Sequence, residues 1–164
     1  RGAFDLGTLV HEIVGLARGQ IDRNDILLRL YLPEDLPRVF GDRVQIGQVI
    51  GNLLLNAIDA VMADPARGHE IEMIASVAKD GSSVTLAVAD SGIGFRGQEA
   101  ERLFDAFWTT KQDGIGLGLT ISRAIVEANG GRIWAEESDL DGAALSFTLP
   151  IAPAEGEGEE EAGA

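Results

Sequence analysis

The sequence predicts a single α/β domain. The chain has 164 residues, the length of one ordinary domain that buries most of its apolar surface in one core. Stretches with apolar residues at helical spacing alternate with shorter runs rich in Val, Ile and Leu that are typical of strands. Glycine clusters at residues 92–97 and 114–118 interrupt this pattern and direct attention to a binding site.

The predicted elements take up residues 1–152. In chain order they are a short strand at 4–6, a helix from about 8, a strand at 26–32, a helix at 42–62, strands at 71–78 and 83–90, a short helix at 99–107, a helix at 117–128, and two closing strands around Asp141-Gly142 that end at Pro150. Asp42 with Gln45 resembles a capping box at the start of the longest helix. Residues 153–164, rich in Glu, Gly and Ala, predict an acidic disordered tail.

Charge and composition exclude several classes of protein. The formal net charge is −14, of which the glutamates of the tail account for only a part. Such a surface repels nucleic acid, so we expect no nucleic acid partner. No uninterrupted apolar run approaches the ~20 residues that span a bilayer, and there are no cysteines. We therefore expect a soluble cytoplasmic domain without membrane contact, in which backbone N–H groups, a metal ion and a few cations hold any polyanionic ligand.

A stripe of polar side chains follows one face of the long helix. Its members are three or four positions apart, a spacing that places them on one side of a helix: Gln45, Gln48, Asn52, Asn56 and Asp59. Neutral amides on a buried face need hydrogen-bond partners, which a bound ligand would supply. A solvated polar face is the alternative.

The segment Asp90-Ser91-Gly92-Ile93-Gly94 comes where a strand is predicted to end. A carboxylate there accepts hydrogen bonds only, which suits the exocyclic amine of adenine and disfavours the carbonyl oxygen of guanine. A plain turn is the alternative. Residues 92–97 also match G-x-G-x-x-G, but no full helix follows directly, so the dinucleotide-binding interpretation is rejected, and no P-loop motif is present.

The second glycine cluster, Gly114-Ile115-Gly116-Leu117-Gly118-Leu119, opens a predicted helix. Unpaired N–H groups and the positive end of the helix dipole would meet there, which favours phosphates. A glycine hinge is the alternative, and nearby Lys111 would add one positive charge.

Four segments in this order resemble the N, G1, F and G2 boxes of sensor histidine kinases: residues 48–60, 90–94, 103–107 and 114–119. The resemblance extends over nearly the whole chain to Pro150. It implies the Bergerat ATP-binding fold, a two-layer α/β sandwich with a mixed sheet and helices on one face. It also implies ATP and Mg²⁺ as cofactors, a separate dimerisation domain that carries the phosphoacceptor histidine, and a response regulator downstream.

The same resemblance implies roles for individual residues. Asn56 would bind Mg²⁺, Asn52 would face the phosphates as a catalytic residue together with Lys111, and Asp90 would hold the adenine amine. The implied nucleotide-binding set is Asn52, Asn56, Asp59, Asp90, Gly92, Ile93, Gly94, Thr110, Lys111, Gly114, Ile115, Gly116, Leu117, Gly118, Leu119 and Thr148.

Two positions depart from the pattern of related proteins. Superfamily members that hydrolyse ATP carry a Glu base where this chain has Asn52, so we expect slow hydrolysis and a nucleophile from elsewhere. Many histidine kinases carry Lys where this chain has Asp59.

His11 lacks the Pro that follows a phosphoacceptor histidine and is predicted to be a helix surface residue. The expected function is phosphoryl transfer from a monomeric ATP-binding fragment to a histidine in another domain of a parent protein that could be membrane-anchored. A stand-alone ATPase and a non-catalytic nucleotide-binding module are the alternatives.

Overall fold

A computed structural model describes residues 1–94 and 115–154 of the chain. Its elements in order are β1 (Gly2–Phe4), α1 (Leu6–Arg23), β2 (Leu27–Tyr31), β3 (Val39–Gly41), α2 (Arg43–Ala63), β4 (Glu70–Val77), β5 (Ser83–Asp90), α3 (Ile115–Ala128), β6 (Ile133–Glu137) and β7 (Ala143–Pro150). The predicted short helix at 99–107 and residues 155–164 of the predicted tail lie outside the described residues.

Five strands form one mixed sheet in the order β2-β4-β5-β7-β6. The pair β2 and β4 is parallel, and α2 lies in the connection between them, as a parallel pair requires. The other neighbours pair antiparallel. β1 and β3 form a separate two-stranded antiparallel sheet, with Ala3 opposite Phe40. The predicted mixed sheet is confirmed.

Burial alternates along the strands and shows which face the helices cover. On β4, Met73 and Ala75 are buried, whereas Ile74 between them is 37% exposed. The buried face of the sheet and the apolar sides of α1, α2 and α3 contribute to one hydrophobic cluster. The described helices therefore pack on one face and leave the other open, which is the predicted two-layer arrangement.

The central helix, α2, carries much of this core. Its buried residues are Ile46, Gly47, Val49, Ile50, Leu53, Leu54, Ala57, Ile58, Ala60 and Val61. By length and composition alone this helix could cross a membrane, but 56% of the qualifying window is buried inside the domain. A core helix passes the same test.

The start of α2 differs in one respect from the predicted capping box. Asp42 Oδ1 accepts a hydrogen bond from the Gln45 N–H at 3.1 Å, as expected. The reciprocal bond from the Asp42 N–H goes to Asn129 Oδ1 at 2.8 Å and not to Gln45. Asn129 takes the place of Gln45 in this role, and its Nδ2 donates to Gln45 Oε1 at 3.1 Å, so the amide oxygen of Gln45 serves as an acceptor for Asn129. The cap of α2 thus depends on the residue that follows α3.

Four elements differ from the prediction by more than one residue. The strand predicted at 4–6 covers Gly2–Phe4, because Asp5 caps α1, and that helix begins at Leu6, two positions before its predicted start. The strand β3 was missed because it has only three residues and pairs with the equally short β1 and with Ile151 through a single bridge. The helix α3 begins at Ile115, two positions before the predicted start, so that the glycines of the second cluster from Gly116 onward lie within its first turn. The turn at Asp141-Gly142 is confirmed, with Asp141 at a φ of 73°.

Asn129 provides a test of how α2 and α3 are held together. Asn129→Ala should lower the free energy of unfolding by about 2–3 kcal/mol, because it breaks the bonds to Asp42 and Gln45 and leaves the half-buried N–H of Asp42 without its acceptor. Asn24→Ala is the matched control. The Asn24 amide makes the same local bond, to the carbonyl four residues earlier, that Asn129 also makes to Ile125. The control should cost about 1 kcal/mol. Equal losses in urea denaturation would contradict the bridging role.

Candidate functional site

The Asp90 carboxylate lies at the end of β5 and is almost completely buried, with 3% of the residue exposed. Its Oδ1 accepts hydrogen bonds from the backbone N–H of Gly92 at 2.9 Å and of Ala143 at 3.3 Å. Backbone donors of this kind compensate a carboxylate for the loss of water. The side chain is therefore oriented from two segments, the turn after β5 and the start of β7.

The turn after β5 packs directly on the last part of α2. The Ile93 N–H donates to the carbonyl oxygen of Ala60 at 3.2 Å. A Cβ at residue 92 would overlap that same carbonyl group, so only glycine allows this approach. Gly94 has a φ of 64°, a conformation that glycine adopts without strain. These contacts place the predicted segment Asp90 to Gly94 against α2.

Two asparagines of the predicted stripe point toward different environments. Asn52 Nδ2 donates to Ser122 Oγ at 3.2 Å and lies 3.5 Å from the carbonyl oxygen of Gly118, so it ties α2 to α3. The Asn56 side chain, one turn later, is half-buried and makes no hydrogen bond with another residue of the ranges 1–94 and 115–154. Among these residues, the amide oxygen and the NH₂ group of Asn56 are therefore available to a ligand.

The interpretation that a ligand supplies the partners for the whole stripe is wrong. Gln45 bonds to Asn129, and Asn52 bonds to α3. Gln48 is exposed and lines a groove between α1 and α2. Asp59 is half-buried and has an interaction partner of its own. The stripe therefore splits into residues that bond to the region of α3, Gln45 and Asn52, and residues that do not, of which Gln48 faces the groove beside α1.

The start of α3 brings part of the second glycine cluster to the same side of α2. A Cβ at Gly118 would lie 3.9 Å from the Asn52 amide, and Leu119 is buried at 4% exposure. Ile115, Gly116 and Leu117 form the first turn of the helix backbone. The N–H groups of a first helical turn have no partner within the helix and suit an anion. Thr110, Lys111 and Gly114 lie outside the described residues.

Thr148 is not near the other predicted site residues, which corrects its assignment. It alternates along β7 with the fully buried Phe147 and Leu149, which face the helices. Thr148 therefore lies on the open face of the sheet, where its hydroxyl accepts a hydrogen bond from the Arg132 N–H at 3.0 Å. The β7 residue that contacts Asp90 is Ala143, at the opposite end of the strand.

The residues near α2 fit an ion that needs few protein ligands. Within the described ranges no group of three or more His, Cys, Asp or Glu side chains could hold a metal. Mg²⁺ does not require such a cage, because it retains waters and takes phosphate oxygens for most of its ligands. The amide oxygen of the half-buried Asn56 is a suitable single ligand.

Some residues that hydrogen-bond to the candidate site residues belong to no motif that the sequence analysis could identify. Ser122 and Ser138 bond to Asn52 and Asp90 respectively, but single serines outside a motif are not conspicuous. His69, an isolated histidine in the sequence, lies within hydrogen-bond distance of the carbonyl oxygens of Asn24 and Pro65. His11 is exposed on α1, as predicted.

Two further cavities lie apart from Asp90. One is the groove between α1 and α2, of about 670 Å³, beside the highly exposed Leu16 and Val44. The other, of about 650 Å³, lies on the open face of the sheet and is lined by Lys79, Trp134 and Thr148 among others. Neither contains Asp90 or Asn56 in its lining.

Comparisons with known proteins bear on the identity of this site. A family model described as "Histidine kinase-, DNA gyrase B-, and HSP90-like ATPase" matches residues 41–153. The sensor protein FixL of Bradyrhizobium diazoefficiens is 40% identical over 147 residues, which cover 90% of this chain and 28% of FixL. The chain thus spans less than a third of that relative.

Solved structures show the same relationship. The catalytic domain of histidine kinase ThkA is similar with a TM-score of 0.78 and 32% identity, covering 92% of this chain and 97% of that one. ThkA in complex with the response regulator protein TrrA is similar with a TM-score of 0.73 and 31% identity, covering 92% and 42%. This chain therefore belongs to the histidine kinase-, DNA gyrase B- and HSP90-like ATPase family, within which it is a histidine kinase ATP-binding catalytic domain.

Proposed function

We propose that this domain binds Mg-ATP between α2, the turn after β5 and the first turn of α3, and that it donates the γ-phosphoryl group to a histidine on a separate dimerisation domain. The observation that carries the proposal is the buried Asp90 carboxylate, which two backbone N–H groups orient beside a glycine turn. These two bonds offset part of the cost of burying the carboxylate, and a ligand that donates a further hydrogen bond to it would offset more.

Recognition of the base follows from the chemistry of Asp90. A carboxylate offers about four acceptor positions across its two oxygens, so bonds from Gly92 and Ala143 at Oδ1 are compatible with a further bond from adenine. The exocyclic amine of adenine donates, whereas guanine presents an oxygen that the carboxylate repels. Gly92 and Gly94 let a flat base approach the backbone.

The phosphates would lie between α2 and the start of α3. The N–H groups of the first turn of α3 have no partner within the helix and favour negative charge, and the Asn52 amide lies 3.5 Å from the carbonyl oxygen of Gly118 in that turn. Asn56 would give its amide oxygen to Mg²⁺, which neutralises phosphate charge when bound. From the sequence alone, we also expect Thr110, Lys111 and Gly114 to contact the nucleotide.

Asn52 determines what kind of phosphoryl transfer the site supports. An amide cannot act as a general base, and this one donates its N–H groups to α3. The nucleophile must therefore arrive already able to attack, as a neutral imidazole nitrogen does. The nitrogen–phosphorus bond forms while the bond between the γ-phosphorus and the bridging oxygen breaks. ADP leaves with the negative charge, and the imidazole releases its other ring proton to solvent.

The remaining parts of the proposal concern the setting of the domain. We propose that it acts in the cytoplasm, as a monomeric unit of a larger kinase that also carries the dimerisation domain, and that the phosphoryl group continues to a response regulator. The ThkA complex with TrrA supports a regulator of this kind as the downstream partner.

Phosphoryl transfer is tested by incubating the domain with γ-labelled ATP and the dimerisation domain of its parent kinase. Acid-labile label should accumulate on the dimerisation domain, and the ATP-binding domain alone should acquire none.

Asp90→Asn should weaken ATP binding by about 10–100-fold, because a hydrogen bond to a charged group contributes about 1.5–3 kcal/mol. Thr85→Ala, on the open face of the sheet, is the control and should bind ATP normally. Brisk ATP turnover without label on a histidine would contradict the proposal.

The close approach of Gly92 to α2 provides an independent prediction. Gly92→Ala should lower the free energy of unfolding by about 1–3 kcal/mol, because its methyl group would overlap the carbonyl of Ala60. It should also weaken ATP binding by at least about tenfold, or ~1.4 kcal/mol, as the turn moves away from α2.

The matched control is Gly15→Ala, in the middle of α1, where a Cβ meets no atom within 4 Å. That change should stabilise the domain by about 1 kcal/mol and leave ATP binding unchanged. Thermal unfolding and calorimetric titration measure both effects. Normal ATP affinity in Gly92→Ala would show that the turn after β5 does not touch the nucleotide.

A further inference from the structure

The turn between β6 and β7 is closed around a single hydroxyl group. Ser138 Oγ accepts hydrogen bonds from the N–H groups of Leu140 and Gly142, both at 3.1 Å. The Ser138 N–H donates to the carbonyl oxygen of Gly142 at 2.9 Å. The turn is therefore held in one shape by Ser138.

The same hydroxyl group bonds to the residue at the base of the proposed ATP site. Ser138 Oγ donates to the backbone carbonyl oxygen of Asp90 at 2.6 Å. The ladder between β5 and β7 ends at the pair Ala89 and Ala144, one residue before Asp90. Ser138 thus contributes a hydrogen bond to Asp90 beyond the end of that ladder.

The backbone of this turn also lies directly on the Asp90 side chain. A Cβ at Gly142 would overlap both the carbonyl oxygen and Oδ1 of Asp90. The next residue, Ala143, donates its N–H to Oδ1 at 3.3 Å. The position of that donor depends on the shape of the turn, and the shape depends on Ser138.

We infer that Ser138 is a positioning residue for adenine recognition, which holds the Asp90 carboxylate where it can accept the exocyclic amine of the base. The inference rests on the proposed function. Ser138 contributes to the position of Asp90 in two ways. Its hydroxyl donates to the carbonyl oxygen of Asp90, and it fixes the turn that places the Ala143 N–H on the Asp90 carboxylate. Loss of the hydroxyl lets the carboxylate turn away from the base.

A positioning role differs from a purely structural one in its dependence on the ligand. If Ser138 only stabilised the turn, its loss would weaken every nucleotide equally. If it orients Asp90, its loss weakens nucleotides that carry the amine and spares those that lack it. Purine riboside triphosphate, which is ATP without the exocyclic amine, separates the two cases.

The experiment measures the dissociation constants of Mg-ATP and of Mg-purine riboside triphosphate by calorimetry. Wild type should prefer ATP by at least about tenfold, the worth of one hydrogen bond to a charged acceptor. Ser138→Ala should reduce that preference about fivefold or more, because ATP binds less tightly, while the analogue stays within about twofold of its wild-type value. Ser138→Thr keeps the hydroxyl and should retain most of the preference.

Ser91→Ala is the matched control. The Ser91 hydroxyl is also buried and next to Asp90 in sequence, but it accepts its hydrogen bond from the N–H of Glu70 in β4, the neighbour of β5 on the side away from β7. Its loss should change the affinities for both nucleotides by the same factor. If Ser138→Ala does not fold, Ser138→Cys replaces it, because a thiol is similar in size and a weak donor, and the same loss of preference is expected.

The outcomes separate this inference from the proposed function. Equal weakening of both nucleotides in the Ser138 variants, with the wild-type preference for ATP intact, would overturn the positioning role and leave the ATP site standing. A wild type that does not distinguish the two nucleotides would overturn the contact between Asp90 and adenine, and the inference with it.

Discussion

A buried carboxylate must be surrounded by donors, and at Asp90 this requirement shapes the end of the sheet. The donors come from the turn after β5 and from the start of β7, so both segments must meet at the same point. A side chain at residue 92 or 142 would prevent this approach, because its Cβ would overlap neighbouring atoms. Gly92 permits the approach of the turn to α2, and Gly142 permits the approach of the β6–β7 turn to Asp90. The glycines, the turn geometry and the charge are therefore parts of one arrangement.

The helices on the other side of the site are held to each other as well as to the sheet. Asn129, which follows α3, caps α2, and Asn52 donates to Ser122 in the middle of α3. The middle of α3 and the residue that follows it are thus fixed against α2 by amide side chains, which can donate and accept at once. Because the proposed phosphate position lies between these two helices, the bonds that stabilise the fold also set the width of the site.

Much of the fold and part of the site could be predicted from the sequence. Periodicity located the long helix and the hairpin from β4 to β5, because these elements bury one continuous face. The segment Asp90 to Gly94 and Asn56 stood out because their residue types are unusual in their surroundings. Periodicity could not locate β3, which is too short to show a pattern, nor show that Gln45 bonds to a residue 84 positions away. Thr148 was misplaced because its position relative to Asp90 depends on strand register, which no local pattern specifies.

Where the nucleotide lies is tested most directly by titrating Mg-ATP into isotope-labelled protein and following backbone amide resonances. The N–H groups of Gly92 and Ala143, both bonded to Asp90 Oδ1, should shift the most together with the side-chain amide of Asn56. Resonances of Thr85 and Trp134 on the open face of the sheet, and of Val44 beside the α1–α2 groove, should stay in place. Shifts centred on either of those cavities, with Gly92 and Ala143 unmoved, would contradict a nucleotide site built on Asp90.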